Sequence, residues 1–484
     1  MDKKLIESLY AVYCQHPLIT TDSRNCVPDA LFFALKGERF DGNQYAAEVL
    51  SKGCALAVVD NADVVPQADR KTEGSDGSLA YGQHGRYFYV PSVLTMLQQL
   101  AAWHREQFRN WTHPVTVIGI TGTNGKTTTK ELIKAVLSQK YSVLATEGNL
   151  NNQIGVPITL LKIRPGHEFA IIEMGANHPM DIADLCEIVR PDYGLITNVG
   201  KAHLLGFGSL EGVISAKTKL YDSIRRSGGT IFVDCGNEHL MSRATDVKRV
   251  IYGNAGASSV MADSNAERPS MQGRILSSAP YLQLELIVED ESPVSVKTNL
   301  IGDYNLINVI AASAIGHHFG VSVSSIRQAI EGYVPQNMRS QLVDLGYGNY
   351  MILDAYNANP TSMNAAIRSF AQNDAPHKNL ILGDMRELGE ESHHEHQAIL
   401  QLIAQQYTQH FEFVLLVGQE FAGAFKAESN DEAVKLARQQ VRCYADVEAL
   451  CSDTAVLKNL GGTTLVKGSR GIRLEKVADT IREL

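Results

Sequence analysis

Between residues 115 and 121 the chain runs Val-Thr-Val-Ile-Gly-Ile-Thr, a β-branched stretch that reads as a buried strand and ends in a glycine-rich turn. From Thr127 to Lys140 the period changes, and Leu132, Ile133, Val136 and Leu137 fall on one face of a helix. The unit is strand, loop, helix. Further apolar runs at 169–173, 193–199 and 230–234 are separated by segments long enough for crossover helices, the pattern of a parallel, doubly wound sheet. Residues 255–280 are rich in Ser, Ala, Asn and Gly and read as loop, whereas the alternation over 282–288 predicts an added β element. Past Pro335 the pattern restarts, with strands expected at 350–353, 379–382, 413–417 and 464–466 between helical stretches.

A chain of 484 residues is too long for one core, and the length prior suggests about three domains. The pattern divides it into a small α/β substrate domain over 1–112, a central α/β domain with a mostly parallel sheet over 113–333, and a Rossmann-like α/β domain over 334–484. The polar stretch 61–83 reads as an exposed loop inside the first of these.

Composition narrows the function. With 44% hydrophobic and 20% charged residues the chain can bury real cores. A formal net charge of -9 argues against nucleic acid as a partner, so an anionic ligand must be met by local cations. Seven cysteines, none in a C-x-x-C pair, write neither a zinc site nor a disulfide framework and fit reduced thiols in the cytoplasm. The first residues lack the apolar run of a signal peptide, and no stretch reaches roughly 18 apolar residues, so no membrane association is expected.

The chemistry concentrates at Thr121-Gly122-Thr123-Asn124-Gly125-Lys126-Thr127, directly after a strand and opening a helix. Glycines let backbone N–H groups approach phosphate oxygens, and the helix N-terminus adds a positive dipole. Lys126 can reach the β- and γ-phosphates, and the Thr127 hydroxyl can ligate magnesium. The general phosphate-loop pattern has a glycine where this chain has Ile120. Two candidates for the metal's neighbourhood follow at later strand ends, where open α/β sheets bind ligands: Glu173 and His203. Lys217, in Ser-Ala-Lys-Thr-Lys, reads by itself as solvated helix surface, and His393 and His394 as exposed polar residues. Gly206-Phe207-Gly208 has the wrong spacing for a dinucleotide fingerprint. A phosphate loop alone would also serve a non-catalytic nucleotide switch or motor.

Several segments in order along nearly the whole chain resemble the Mur ligase family. Gly122-Thr-Asn-Gly-Lys-Thr127 is similar to that family's loop, and Thr21-Asp-Ser-Arg24 with Leu31-Phe-Phe-Ala-Leu-Lys36 resembles its nucleotide-sugar-binding first domain. Thr146-Glu-Gly-Asn-Leu-Asn-Asn-Gln-Ile-Gly-Val-Pro157 looks like the branch that adds D-alanyl-D-alanine, as do Ile172-Glu-Met-Gly-Ala-Asn177 and Asn198-Val-Gly-Lys-Ala-His203. Gly302-Asp-Tyr-Asn-Leu-Ile-Asn308 resembles the adenine-contacting segment, with Tyr304 where His is common. Asn337-Met-Arg339, Asp354-Ala-Tyr-Asn-Ala-Asn-Pro360, Leu382-Gly-Asp-Met-Arg-Glu-Leu-Gly389 with His396, and Val466-Lys-Gly-Ser-Arg470 complete the set.

The resemblance implies an ATP-dependent ligase that joins the carboxylate of UDP-N-acetylmuramoyl-tripeptide to the amine of D-alanyl-D-alanine through an acyl phosphate. It implies ATP bound by Gly122, Thr123, Asn124, Gly125, Lys126, Thr127 and Thr128, with Asn305 and Asn308 near adenine, Asp354 near ribose and Arg339 on the phosphates. It implies Mg2+, in two sites, near Thr127, Glu173, His203 and a carbamylated Lys217, although Thr218-Lys219 replaces the usual Gly-Glu after that lysine. Catalytic roles fall on Lys126, His203, Lys217 and Arg339. Substrate contacts fall on Ser23, Arg24 and Lys36 for the sugar nucleotide, on Asn149, Asn151 and Asn152, and on Tyr356, Asn357 and Asn359 beside the incoming dipeptide. A monomer is expected. Whether the third residue of the tripeptide is lysine or diaminopimelate stays open.

Overall fold

The computed structural model describes residues 3–38, 40–73, 78–202, 204–256, 268–336, 338–407, 410–426 and 441–484. Its architecture is three α/β lobes, each on its own main sheet. The first lobe has a five-stranded sheet over 19–89, the central lobe a nine-stranded sheet over 116–297, and the last a six-stranded sheet over 341–467.

In the central sheet, strand Thr116–Thr121 lies between Phe169–Glu173 and Tyr193–Ile196, parallel to both. The chain leaves it by helix Lys126–Leu137, places Val143–Ala145 on the far side of Phe169–Glu173, and later crosses back to Tyr193–Ile196. This reversal opens a crevice at the carboxyl end of Thr116–Thr121, where open α/β sheets bind ligands. Alternate strand residues serve opposite faces, as the pleat requires. Val117, Ile172, Ile196 and Ile231 enter one core, while Ile118, Ile120, Ile171, Leu195 and Phe232 enter the other. The last lobe repeats the plan: Leu380, Leu382, Val414 and Leu416 pack on one side, and Ile381, Leu415, Val417 and Val466 on the other.

The expected strands appear, with one correction. Within 255–280, read as loop, Met271–Ser277 is a strand, parallel to Lys248–Asn254 and antiparallel to Gln283–Ile287. Gly273 breaks its apolar alternation because helix Asn305–His318 packs there; a Cβ would lie 2.7 Å from Ile310 Cγ1. Residues 257–267 of that segment fall outside the described residues. The 61–83 stretch contributes two 3-10 turns, and Gly82–His84 pairs with Tyr87–Tyr89 as part of the first sheet.

The first two lobes share a core. Helix Val93–Arg109 packs against the central helices Gly155–Leu160 and Asp181–Val189. Arg105, fully buried, donates to the Val189 and Arg190 carbonyls and meets Asp192 Oδ2 at 2.8 Å, so its charge is answered inside the protein. Among the described residues no helix is long and apolar enough to cross a membrane.

Candidate functional site

The glycines of the 121–127 loop are fixed by close approach. Gly122 has φ +150°, and a Cβ there would sit 2.0 Å from Thr197 Oγ1. Gly125 has φ +77° and is pressed by Asn308 Oδ1, which would lie 2.7 Å from an added Cβ. Thr197 Oγ1 and Asn198 Nδ2 both donate to the Asn124 carbonyl, and Asn198 Oδ1 accepts from Asn124 N. With its backbone held from outside, the loop starts helix Lys126–Leu137, whose N-terminus faces the crevice.

The loop floors a cavity of about 660 Å³ that both the central and the last lobe line. Residues Thr123 through Thr128 face it, with Asn149, Asn151, Asn152, Glu173, Asn305 and Asn308 from the same lobe. From the last lobe come Arg339, Asp354, Tyr356 and Asn357. Arg339 stacks on the Tyr356 ring at 4.1 Å, and Arg470 approaches the same ring at 5.2 Å.

Glu173 ends its strand 1% exposed, and Thr127 Oγ1 donates to its two oxygens at 3.0 and 3.2 Å. Asn151 Nδ2 donates to Oε1 at 2.9 Å. Lys126 Nζ curls onto the Gly122 and Thr123 carbonyls at 2.7 and 3.2 Å. Burial lowers the basicity of that amine, the Glu173 carboxylate opposes the effect, and the charge of Arg339 adds to it.

Asn305 and Asn308 lie beneath the loop more than beside it. Asn308 Nδ2 donates to Asn305 Oδ1, Asn308 Oδ1 accepts from Thr129 Oγ1, and Asn305 Nδ2 donates to the Ile301 carbonyl. Asp354 is paired with Lys467 at 2.5 Å and accepts from Ser340 N. Asn359 does not line the cavity. It caps helix Pro360–Ala371 in a capping box with Ser362, Pro360 standing in the first turn, and its Nδ2 donates to Asn124 Oδ1 at 2.8 Å.

Three expected residues lie in the first lobe, outside the cavity. Ser23 is buried, Arg24 forks onto Asp22, and Lys36 meets Asp60 at 3.0 Å. His203 and Asn337 fall outside the described residues. Lys217 corrects the residue-level reading. On helix Leu210–Ser227 it is 2% exposed, not solvated, with Nζ 5.9 Å from the Phe207 ring centre. Burial and the nearby positive charge of Lys126 hold its amine well below the ordinary lysine range. His393 and His394 are exposed, as expected.

Sequence reasoning missed Lys130. Fully buried, it donates to the Thr146 carbonyl and lies 2.9 Å from Glu131 and 4.0 Å from Glu173. Its position four residues after Lys126 puts it one turn further along the same helix face, which was a legible signal. The ion pair of Lys467 with Asp354 joins residues 113 apart in sequence and left no local trace.

A phosphate loop at a sheet reversal, a buried carboxylate against its hydroxyl, and an arginine brought in by another lobe define a nucleotide-binding α/β enzyme whose site is assembled between domains. Family models match this chain over 17–105 (Mur ligase family, catalytic domain), 120–316 (Mur ligase middle domain) and 338–470 (Mur ligase, glutamate ligase domain). It is 32% identical over 469 residues to the UDP-N-acetylmuramoyl-tripeptide–D-alanyl-D-alanine ligase of Escherichia coli, covering 96% of this chain and 93% of that one. A crystal structure of MurF from Acinetobacter baumannii aligns with a TM-score of 0.77 at 28% identity, over 96% of this chain and 93% of that one. The Thermotoga maritima MurF ligase in complex with ADP aligns at 0.74 and 25% identity, over 96% and 97%. The chain belongs to the Mur ligase family, and these relatives, matched along nearly their whole length, are of the MurF type.

Proposed function

We propose that this chain is an ATP-dependent carbon–nitrogen ligase that joins the C-terminal carboxylate of UDP-N-acetylmuramoyl-tripeptide to the amine of D-alanyl-D-alanine. The products are the pentapeptide precursor of peptidoglycan, ADP and phosphate. The observation that carries this reading is the cavity above the phosphate loop, lined from two lobes, in a chain matched over 96% of its length by ligases of that name. In this reading the chain divides at 1–112, 113–333 and 334–484 into sugar-nucleotide, ATP and dipeptide domains, and works as a monomer in the cytoplasm.

A carboxylate is inert to amines until an oxygen leaving group is attached. One carboxylate oxygen attacks the γ-phosphorus, the bond to the β–γ bridging oxygen breaks, and ADP departs, leaving an acyl phosphate. The neutral amine then attacks the acyl carbon; the tetrahedral intermediate expels phosphate, loses a proton and becomes the amide. Such transfers are helped mainly by positioning and by cations on the phosphoryl oxygens. Lys126 and Arg339 take that role, Thr123 through Thr128 with Gly122 cradle the phosphates, and Asn305, Asn308 and Asp354 shape the nucleoside end. Asn149, Asn151, Asn152, Tyr356 and Asn357 face the reacting carboxylate and dipeptide, while Ser23, Arg24 and Lys36 hold the distant UDP. Closure of the last lobe excludes water that would hydrolyse the acyl phosphate.

The donor set fits magnesium: the Thr127 hydroxyl and Glu173 carboxylate converge as hard oxygen ligands. Among the described residues no three His, Cys, Asp or Glu side chains form a cage. That suits an ion held by one carboxylate with phosphate oxygens and water. Bound there, Mg2+ offsets charge on the β- and γ-phosphates. His203 and a carbamylated Lys217 belong to the same reading, with a second ion; burial lowers the basicity of the Lys217 amine, which favours the free-base form that adds carbon dioxide.

The test is a substrate panel in which phosphate, ADP and amide are quantified as tripeptide, acceptor and nucleotide are varied. One amide per phosphate with D-alanyl-D-alanine supports the reading. Phosphate release without amide, whatever the acceptor, returns the chain to the class of nucleotide-driven switches.

A further inference from the structure

The last lobe meets the central one at a second place, beyond the phosphate loop. Glu395, on helix Ser392–Leu402, is 5% exposed, and its Oε1 accepts from Lys201 Nζ at 2.8 Å. Lys201 belongs to the 198–201 turn that follows strand Tyr193–Ile196, and about half of its side chain is exposed. Both residues line a cleft of about 700 Å³ between the lobes, which shares Tyr304, Thr361 and Ala365 with the nucleotide cavity.

The turn that carries Lys201 is tied to the loop at its other end. Asn198 Oδ1 accepts from Asn124 N, and Gly200 N donates to Thr123 Oγ1 at 3.0 Å. On the last lobe's side, Thr361 Oγ1 approaches the Lys201 carbonyl at 3.5 Å, and a Cβ on Gly200 would lie 2.9 Å from Thr361 Oγ1. Four residues therefore run from the phosphate loop to the surface on which the last lobe rests. In any form in which that lobe stands apart from the turn, the Lys201–Glu395 pair is broken, so their attraction counts only where the two lobes meet. A contact that exists in one state alone shifts the equilibrium by its full differential strength.

We propose that Lys201 and Glu395 are positioning residues for ligation: an ion-pair latch that holds the last lobe closed and so keeps Arg339 and Asn359 over the phosphate loop. The latch rests on the ligase reading for its consequence, but closure itself is measurable without an acceptor.

The test uses the full-length protein and the variants Glu395→Gln, Lys201→Gln, their double, and the charge exchange Lys201→Glu with Glu395→Lys. Small-angle scattering with Mg2+ and a non-hydrolysable ATP analogue reads closure, and initial rates separate KM from kcat. Each single variant is expected to stay more open with the analogue and to raise KM for ATP about three- to tenfold, the range of one partly buried ion pair. The double should be no worse than either single, and the charge exchange should return KM to within about twofold of the parent. Additive single effects, or unchanged KM and scattering, overturn the latch. If Glu395→Gln does not fold, Lys201→Gln and the charge exchange still decide it. If the protein makes no amide, the ligase reading fails while scattering continues to judge the latch.

Discussion

Asn359 and Asn124 join the last lobe to the phosphate loop through a side-chain amide contact, Nδ2 to Oδ1 at 2.8 Å. The same Asn359 side chain caps helix Pro360–Ala371 through Oδ1, so one amide serves both helix start and interdomain clasp. Serine can replace the cap but is too short to reach Asn124. Asn359→Ser should therefore leave the thermal midpoint nearly unchanged while kcat/KM falls about fivefold, the worth of one lost hydrogen bond. Asn359→Ala should lose both, with about 1 kcal/mol of stability gone as well. Equal activity in the two variants and the parent would remove the clasp from the mechanism.

Lys126 lies where a γ-phosphate can draw it off the Gly122 and Thr123 carbonyls. Replacing it with alanine takes away a cation aimed at charge that grows in the transition state, and a loss of about 10²- to 10³-fold in kcat is expected. Phosphate release assayed with all three substrates measures it; turnover near that of the parent would end the assignment.

Gly122→Ala tests the loop's shape. Its φ of +150° is one that side-chain-bearing residues rarely adopt, and the new Cβ would collide with Thr197 Oγ1, which donates to the Asn124 carbonyl. Nucleotide affinity measured by calorimetry should fall about five- to 150-fold, because the strain of roughly 1–3 kcal/mol falls on the conformation that binds phosphate. Unchanged affinity would show that the loop tolerates the shift.

The loop was legible because phosphate chemistry constrains adjacent residues, so strand, glycines, lysine and hydroxyl stand together in sequence. Residues of the last lobe were not. Arg339 and Asp354 reach the cavity through interdomain packing, and only the resemblance pointed to them. Lys217 sits in a polar Lys-Thr-Lys stretch whose buried face is chosen by Phe207 and by the neighbouring helix Asp181–Val189, contacts that periodicity over one helix does not contain. Arg105 is a parallel case, since its burial depends on carbonyls more than 80 residues away. Strand Met271–Ser277 was hidden by Gly273, a residue set by the helix across from it and poor in strand propensity.

His104 gives the fold an acid limit. Buried among Tyr13, Phe108 and Trp111, it bonds the Ile163 carbonyl through Nε2 and Tyr10 through Nδ1. Burial lowers its pKa from the ordinary 6.5 to about 4. Between those values the unfolded chain takes up a proton that the native protein does not, so stability is complete above about pH 6.5 and declines as the pH falls toward 4. The loss amounts to about 3 kcal/mol at most. His104→Gln, which keeps a donor for Ile163, should lower stability at pH 7 and flatten its dependence between pH 6.5 and 4.5. Urea midpoints across that range provide the measurement, and an equally steep decline in the variant would assign the acid limit to other groups.

Lys217 offers the sharpest test of the metal-side chemistry. Burial, with the charge of Lys126, holds its amine well below the ordinary lysine range; on the proposed reading that amine adds carbon dioxide, forming an N–C bond and releasing one proton. The product is a carboxylate on the same side chain, so a short carboxylate diffusing into the space left by Lys217→Ala should restore part of the function. The expected outcome is a variant with rates depressed about 10²-fold or more, recovering severalfold in formate or acetate but not in chloride of equal ionic strength. Removing dissolved carbon dioxide from the parent should lower its rate, and bicarbonate should return it. A variant whose activity no carboxylate rescues, beside a parent indifferent to bicarbonate, would leave Lys217 as an unmodified lysine packed on Phe207.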